Sequence, residues 1–155
     1  MESRLKVDKG QIGLAGEFRV ASEILRRGFS ANITFGNAKA TDIVVLGSRN
    51  RFIRVEVKTS KNNRNFVTSY FPKYSEPGNS EPDLWVLYLP NKDGMSDGDR
   101  FFLLTHEEVG ELQLIVNKGN KTEKGKGVDN IPLKVLLENR SDSEDRWNLL
   151  ADLLS

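Results

Sequence analysis

The stretch Ile53–Ser60, "IRVEVKTS", alternates without a break: Ile53, Val55 and Val57 share one parity, and Arg54, Glu56 and Lys58 share the other. As a β-strand it sends its apolar set to one face and its charged set to the opposite face. The apolar set belongs against a core. The charged set has two destinations. One is water, the ordinary outcome for an isolated Glu-x-Lys; the other is a site that needs a carboxylate and an ammonium side by side.

The flanking segments set the fold class. "TDIVVLG" (41–47) and "RFIRVEVKT" (51–59) surround the turn "SRN" as the two arms of a hairpin, and the extended segment "FSANITF" precedes them. Upstream, Gln11–Arg27 places Leu14, Phe18, Ala21 and Leu25 at spacings of four, three and four, one stripe of an amphipathic helix that stops at Gly28. Downstream, residues 61–83 are polar, basic and aromatic, and Pro72, Pro77, Gly78 and Pro82 break them into a loop with room for a short helix. "DLWVLYL" (83–89) and "RFFLLT" (100–105) read as two more strands around the turn-rich "PNKDGMSDGD". Thr105 with Glu108 forms a capping box for the helix "HEEVGELQLIV" (106–116), which gives His106 the role of a helix-start residue. "NKGNKTEKGKG" (117–127) is a solvated loop. A final helix is expected from a second box, Ser141 with Glu144, with Trp147, Leu150, Ala151 and Leu154 on its buried face and a dimer contact as the lesser alternative. The order predicts an α/β fold of α+β type, a mixed sheet flanked by helices. It is expected as a single domain over 1–155, with a core at about 11–116 and a C-terminal loop and helical extension at about 117–155.

Composition narrows the function classes. The chain has 155 residues, 37% hydrophobic, no cysteine and one histidine. Disulfides and thiolate metal sites are excluded, and so is a zinc site built from the usual ligands; a cytoplasmic setting is the expectation. No stretch approaches the ~18 continuous apolar residues of a membrane span. The net charge of +1 conceals a division: residues 1–75 carry 14 Lys/Arg against 6 Asp/Glu, and residues 76–155 carry 9 against 16. Such asymmetry fits a polyanion-facing side, unless the two halves intermingle in the fold. "DGMSDGD" lacks the oxygen ligands of a calcium loop, since Met95 and Leu104 stand where they are needed. "GQIGLAG" is not the glycine pattern of a dinucleotide site.

Three carboxylates and one lysine remain as candidates for chemistry. Asp42 heads the strand "IVVL", where an unpaired buried acid is costly, and pairing about "SRN" brings it toward the end of the strand that carries Glu56 and Lys58. Glu17 follows Gly13 and Gly16, small residues that let a helix approach a sheet closely. Hard oxygen donors of this kind hold Mg²⁺ through one or two carboxylates plus substrate phosphate, and a lysine beside them can orient the attacking water.

With "GLAGE" on a first helix, "TDIVVL" on a strand and "VEVKTS" on the next, the segment from Gln11 to about Lys61 resembles the PD-(D/E)XK nuclease superfamily. Thr41 stands where that pattern has proline. The helix-Glu start is also similar to the archaeal Holliday-junction resolvase branch, without that branch's further signature. The resemblance implies a restriction-endonuclease-like core and a Mg²⁺-dependent (or Mn²⁺-dependent) DNA endonuclease-like phosphodiesterase. It implies Asp42 and Glu56 as metal ligands with the Val57 carbonyl, Lys58 as the group that positions water, and Glu17 as a supporting or second-metal carboxylate. Because neighbouring carboxylates favour a charged ammonium, orienting water suits Lys58 better than abstracting its proton.

The segment "KNNRNFVTSYFPKY" (61–74) interleaves cations with rings, the mix that meets phosphates and stacks on exposed bases. Lys39, Lys61, Arg64, Tyr70 and Lys73 are the residues expected to touch nucleic acid. The alternative, rings capping the core, weighs more for Phe66 and Phe71 than for the tyrosines. The rival to an enzyme is a nucleic-acid-binding or partner-binding domain that keeps the fold without turnover. DNA is the expected partner, and RNA and a homodimer stay open.

Overall fold

The side chain of Asp8 accepts the Gln11 N–H at 2.8 Å while the Gln11 side chain accepts the Asp8 N–H at 2.9 Å, and this reciprocal cap starts helix α1 (Lys9–Arg26). The computed structural model describes residues 5–34, 41–75, 80–91, 98–121 and 128–155. After α1 the chain reverses at Gly28, whose φ of 87° is one that only glycine adopts without strain.

Strands β1 (Ser30–Ile33), β2 (Ile43–Leu46) and β3 (Phe52–Thr59) run as an antiparallel meander, with Ile43 opposite Val55 and Leu46 opposite Phe52. A crossover through β4 (Asn65–Val67) and the five-residue α2 (Tyr70–Tyr74) leads to β5 (Leu84–Leu89), which lies parallel to β3. Strand β6 (Arg100–Thr105) pairs antiparallel to β5 and completes a five-stranded mixed sheet in the order β1-β2-β3-β5-β6. Helix α3 (His106–Val116) opens with the expected Thr105–Glu108 box. Then β7 (Asn130–Pro132) returns to pair with β4 as a second, two-stranded sheet, followed by α4 (Leu133–Asn139) and α5 (Asn148–Leu154). The expected mixed sheet flanked by helices is the observed fold.

Alternation along β3 separates two cores. Ile53, Val55 and Val57 join Val20 and Ile24 of α1 and Leu150 and Leu154 of α5 on one face. On the other, Trp85, Leu87, Phe102 and Leu104 pack with Phe66, Val109, Leu112 and Ile131. Gln113 is buried beside this second core; it accepts the Thr68 hydroxyl at 2.6 Å and donates to the carbonyls of Val128 (3.3 Å) and Asn130 (3.1 Å), which ties α3 to the small sheet.

Two sequence expectations are corrected. The stripe Leu14, Phe18 and Leu25 is exposed, at 43%, 50% and 52%, and only Ala21 of that set is buried. The docked face is Gly16, Val20, Ala21 and Ile24, because a glycine packs a helix closer than any apolar side chain permits. Nor does Ser141 open the last helix. Ser141–Ser143 is one turn of 3₁₀ helix, Glu144 is extended and bridged to Phe102, and α5 begins at Asn148 with Ala151 exposed. Much of the turn after Pro90 and of the loop after Asn117 lies outside the described residues. Among those described, no helix is long and apolar enough to cross a membrane.

Candidate active site

Strand β3 outruns β2. The last β2 pair is Ile43 with Val55, and beyond it the edge of β3 has no strand partner on that side among the described residues. Asp42 fills the first vacant position: its N–H donates to the Val55 carbonyl at 3.1 Å, and its Oδ2 accepts the Val57 N–H at 2.8 Å. In an extended strand the N–H and C=O of one residue point to the same edge. The Val57 carbonyl therefore faces the same opening as the Asp42 carboxylate.

Glu56 points to the opposite face from Val55 and Val57, and it does not meet water. It is 2% exposed, and its Oε1 accepts from Lys58 Nζ at 2.8 Å and from Lys73 Nζ, delivered by α2, at 3.1 Å. Glu17 comes from α1, which meets β3 where Gly16 lies against Thr59: a Cβ at Gly16 would stand 1.8 Å from Thr59 Oγ1. That contact sets the Glu17 carboxyl beside Asp42 in one cleft.

The electrostatics divide the acids. Burial would raise Glu56, but Lys58 and then Lys73 hold it below the usual carboxylate range. Burial and then the Glu56 charge push Asp42 up. Burial, followed by the charge of Asp42, pushes Glu17 up to about 7. Next to this group the Tyr74 hydroxyl is buried with no hydrogen-bond partner among the described residues, and burial followed by the Glu56 and Asp42 charges raises it.

Glu17, Asp42, Val57 and Lys58 line a cleft of about 620 Å³ with Lys9 and Lys61. Of the residues expected to touch nucleic acid, Lys61 lies in this cleft and Lys73 reaches Glu56. Arg64 lines a separate groove with Leu133 and Lys134. Tyr70 is half-buried against the second core: its ring stacks on His106 at 4.6 Å between centroids, and its hydroxyl donates to the His106 carbonyl at 3.1 Å. Lys39 lies outside the described residues. His106 is buried in the same aromatic cluster, accepts the Trp85 indole N–H on Nδ1 at 3.1 Å, and is pushed down in pKa by burial. Sequence reasoning gives Lys9 no site role and expects Lys73 on nucleic acid, not on Glu56. Nothing local in sequence marks Lys73, since the pairing joins residues 17 positions apart.

The donors on hand suit a hard cation. Among the described residues no three Asp, Glu or His side chains close on one point as a cage. Mg²⁺ does not require one, because it retains water and takes one or two carboxylates plus substrate oxygens. Asp42, Glu56 and the open-edge Val57 carbonyl supply such a set.

No protein-family model and no curated protein matches the sequence. A solved structure does: that of a bacterial homing endonuclease, I-Ssp6803I, superposes with a TM-score of 0.59, covering 96% of this chain and 95% of that chain at 14% identity. The two chains share a fold over nearly their whole lengths. At that identity the likeness concerns the backbone arrangement and not the side chains at the open edge of β3.

Proposed function

We propose that this chain is a metal-dependent nuclease of the PD-(D/E)XK kind, folded as one domain, that hydrolyses phosphodiester bonds in DNA in the cleft between α1 and the β3–β4 connection. The observation that carries the reading is the burial of Glu56 with Lys58 beside the Asp42 carboxylate at an open strand edge. A solvated alternation would leave that pair in water, and a purely structural ion pair gains nothing from two further carboxylates nearby. The endonuclease fold of I-Ssp6803I supports the same class.

Asp42 and Glu56, with the Val57 carbonyl, would hold Mg²⁺ or Mn²⁺. When bound, the cation polarises the phosphate and activates water. Asp42 is kept in place by the Val57 N–H, so its carboxylate is oriented before any ligand arrives. Lys58, fixed on the same strand as Glu56, holds the attacking water and balances negative charge at the phosphorus. Glu17 holds a proton near neutral pH and can accept or release it beside Asp42. Lys9 and Lys61 neutralise phosphates at the cleft mouth.

Incubation of the protein with supercoiled, linear, single-stranded and branched DNA, and with RNA, in Mg²⁺, Mn²⁺ or EDTA tests the reading. Cleavage of at least one DNA form in metal, abolished by EDTA, is expected. Binding of DNA without cleavage in any metal supports the rival, a binding domain on a nuclease fold.

A further inference from the structure

Two ammonium groups meet at one carboxylate oxygen beside this cleft, which Lys58 lines. Lys58 and Lys73 both donate to Glu56 Oε1, at 2.8 and 3.1 Å, and each side chain is 27% exposed. They differ in what carries them. Lys58 stands two residues from Glu56 in the hydrogen-bonded ladder with β5, so its origin is fixed. Lys73 arrives on the short helix α2, whose N-cap Ser69 is left-handed and makes no side-chain cap. Its long flexible stem lets the ammonium swing several ångströms without moving the backbone.

Charge gives Lys73 a second place to go. With the Glu17 carboxyl neutral, Asp42, Glu56, Lys58 and Lys73 sum to zero. A divalent cation makes the sum two positive, and one phosphodiester lowers it to one positive. The cation, Lys58 and Lys73 cannot all crowd Glu56 Oε1 at contact distance, because three like charges would then sit side by side in a partly desolvated site, and of the two lysines Lys73, on the short helix, is the one placed to leave. An incoming phosphate oxygen offers the displaced ammonium an equivalent partner.

Resting on the nuclease reading above, we propose that Lys73 is a transferable counterion: it holds Glu56 when the cleft is empty and passes to a substrate phosphate when nucleic acid binds, which leaves the Glu56 carboxylate with Lys58 alone and open to a divalent cation. Lys73 is then a positioning residue that makes cation and nucleic acid bind cooperatively. By linkage, each strengthens the other by the same factor.

The test is isothermal calorimetry of Ca²⁺ binding to the full chain, alone and with a short DNA duplex, for the parent, Lys73→Met and Lys73→Arg. Met keeps the stem and removes the charge; Arg keeps the charge. Circular dichroism confirms that each variant is folded. The parent should bind Ca²⁺ between about 5-fold and 150-fold more tightly with duplex present, the ordinary span of such coupling. In Lys73→Met, Ca²⁺ should bind about tenfold more tightly than in the parent without DNA, and the added effect of duplex should fall to within about twofold; Lys73→Arg should retain most of the coupling. A parent that binds Ca²⁺ neither alone nor with duplex overturns the nuclease reading and this one with it. If the parent binds both ligands but shows no coupling, or if Lys73→Met has unchanged or weaker Ca²⁺ affinity, the counterion role falls while the nuclease reading stands. An unfolded Lys73→Met protein transfers the decision to Lys73→Arg, where full loss of coupling contradicts the proposal and retention supports it.

Discussion

Asp42 Oδ2 accepts the main-chain N–H of Val57 at 2.8 Å, so this acid completes the β2–β3 ladder and faces the cleft at once. Replacing it by Asn keeps an acceptor for Val57 and removes the repulsion from Glu56. Asp42→Asn should therefore unfold at the same temperature as the parent or higher. Glu56→Gln should be less stable by about 1–3 kcal/mol, since it leaves two ammonium groups facing each other with no counter-charge, a cost softened by their partial exposure. Thermal melts of the two variants check this; equal destabilisation of both would mean that the acids do not differ in their surroundings.

Gly16 is where α1 touches the sheet. Gly16→Ala gains helix propensity of up to about 1 kcal/mol, but its Cβ would stand 1.8 Å from Thr59 Oγ1 and 3.0 Å from Thr59 Cβ. A net loss of about 1–3 kcal/mol is expected from the overpacking. The Thr59 hydroxyl has no hydrogen-bond partner among the described residues, so Thr59→Ala alone should cost little. Urea denaturation of the double variant should recover part of the Gly16→Ala loss; strict additivity of the two changes would show that the contact is not the cause.

The same contact explains what was legible in the sequence. The five strands of the main sheet, the hairpin and the Thr105 capping box are local patterns legible in the sequence, whereas the three-residue β4, in a segment that reads as loop or short helix, and β7 exist only through their long-range pairing with each other. In α1, two stripes share the helical period, and the more hydrophobic one, through Leu14 and Phe18, lies outside. The docked one contains Gly16, which scores nothing on a hydropathy scale, and it is followed by Glu17, which has to turn inward for the site. Ser141 and Glu144 have the spacing of a cap, but the Glu144 carboxylate pairs with Arg100 (2.6 Å) and its backbone bridges Phe102, long-range partners that outweigh a local box. Asp42, Glu56 and Glu17 could be gathered from one helix and one hairpin. Lys73 and Tyr74 reach the site through a crossover whose path depends on β7, far along the chain, and no pattern near them encodes that.

Acidity provides a third prediction. Glu17 is raised from 4.5 to about 7, so between those values the folded protein holds a proton that the unfolded chain has released. Stability then falls as pH rises through that window, and the contribution is fully present only below about 4.5. Glu17→Gln removes this dependence. Its stability relative to the parent, from urea midpoints without divalent metal, should be greater at about pH 8 than at about pH 5. A larger relative gain at the acid end would contradict the raised value.

Gln113 is a structural counterpart to the site. Gln113→Leu preserves volume approximately and leaves the Thr68 hydroxyl and the Val128 and Asn130 carbonyls without this partner. A loss of about 2 kcal/mol or more is expected. Hydrogen exchange should locate the loosening in β4, β7 and α3, with β2 and β3 protected as before. Loosening centred on β2 and β3 would show that the small sheet is not what Gln113 holds.

Lys9 and Lys61 line the cleft, whereas Arg26 lies at the far end of α1 with its side chain 72% exposed. In a salt titration of DNA affinity in Ca²⁺, the double change to Ala at Lys9 and Lys61 should flatten the slope of log K against log salt by roughly 1.8, about 0.9 per phosphate contact. Arg26→Ala should leave it unchanged. Equal effects of the two variants would remove the cleft from the account of binding.

The central claim is that Asp42, Glu56 and Lys58 form one metal-dependent hydrolytic site, and supercoiled plasmid tests it most directly. The parent, Asp42→Asn and Lys58→Met are purified in parallel and incubated with plasmid in Mg²⁺, in Mn²⁺ and in EDTA, and nicked and linear products are quantified over time. The account predicts cutting by the parent in metal, none in EDTA, and a loss of at least about a hundredfold in both folded variants, the scale of removing one transition-state contact. Undiminished cutting by Asp42→Asn and Lys58→Met, or cutting by the parent that persists in EDTA, would contradict it.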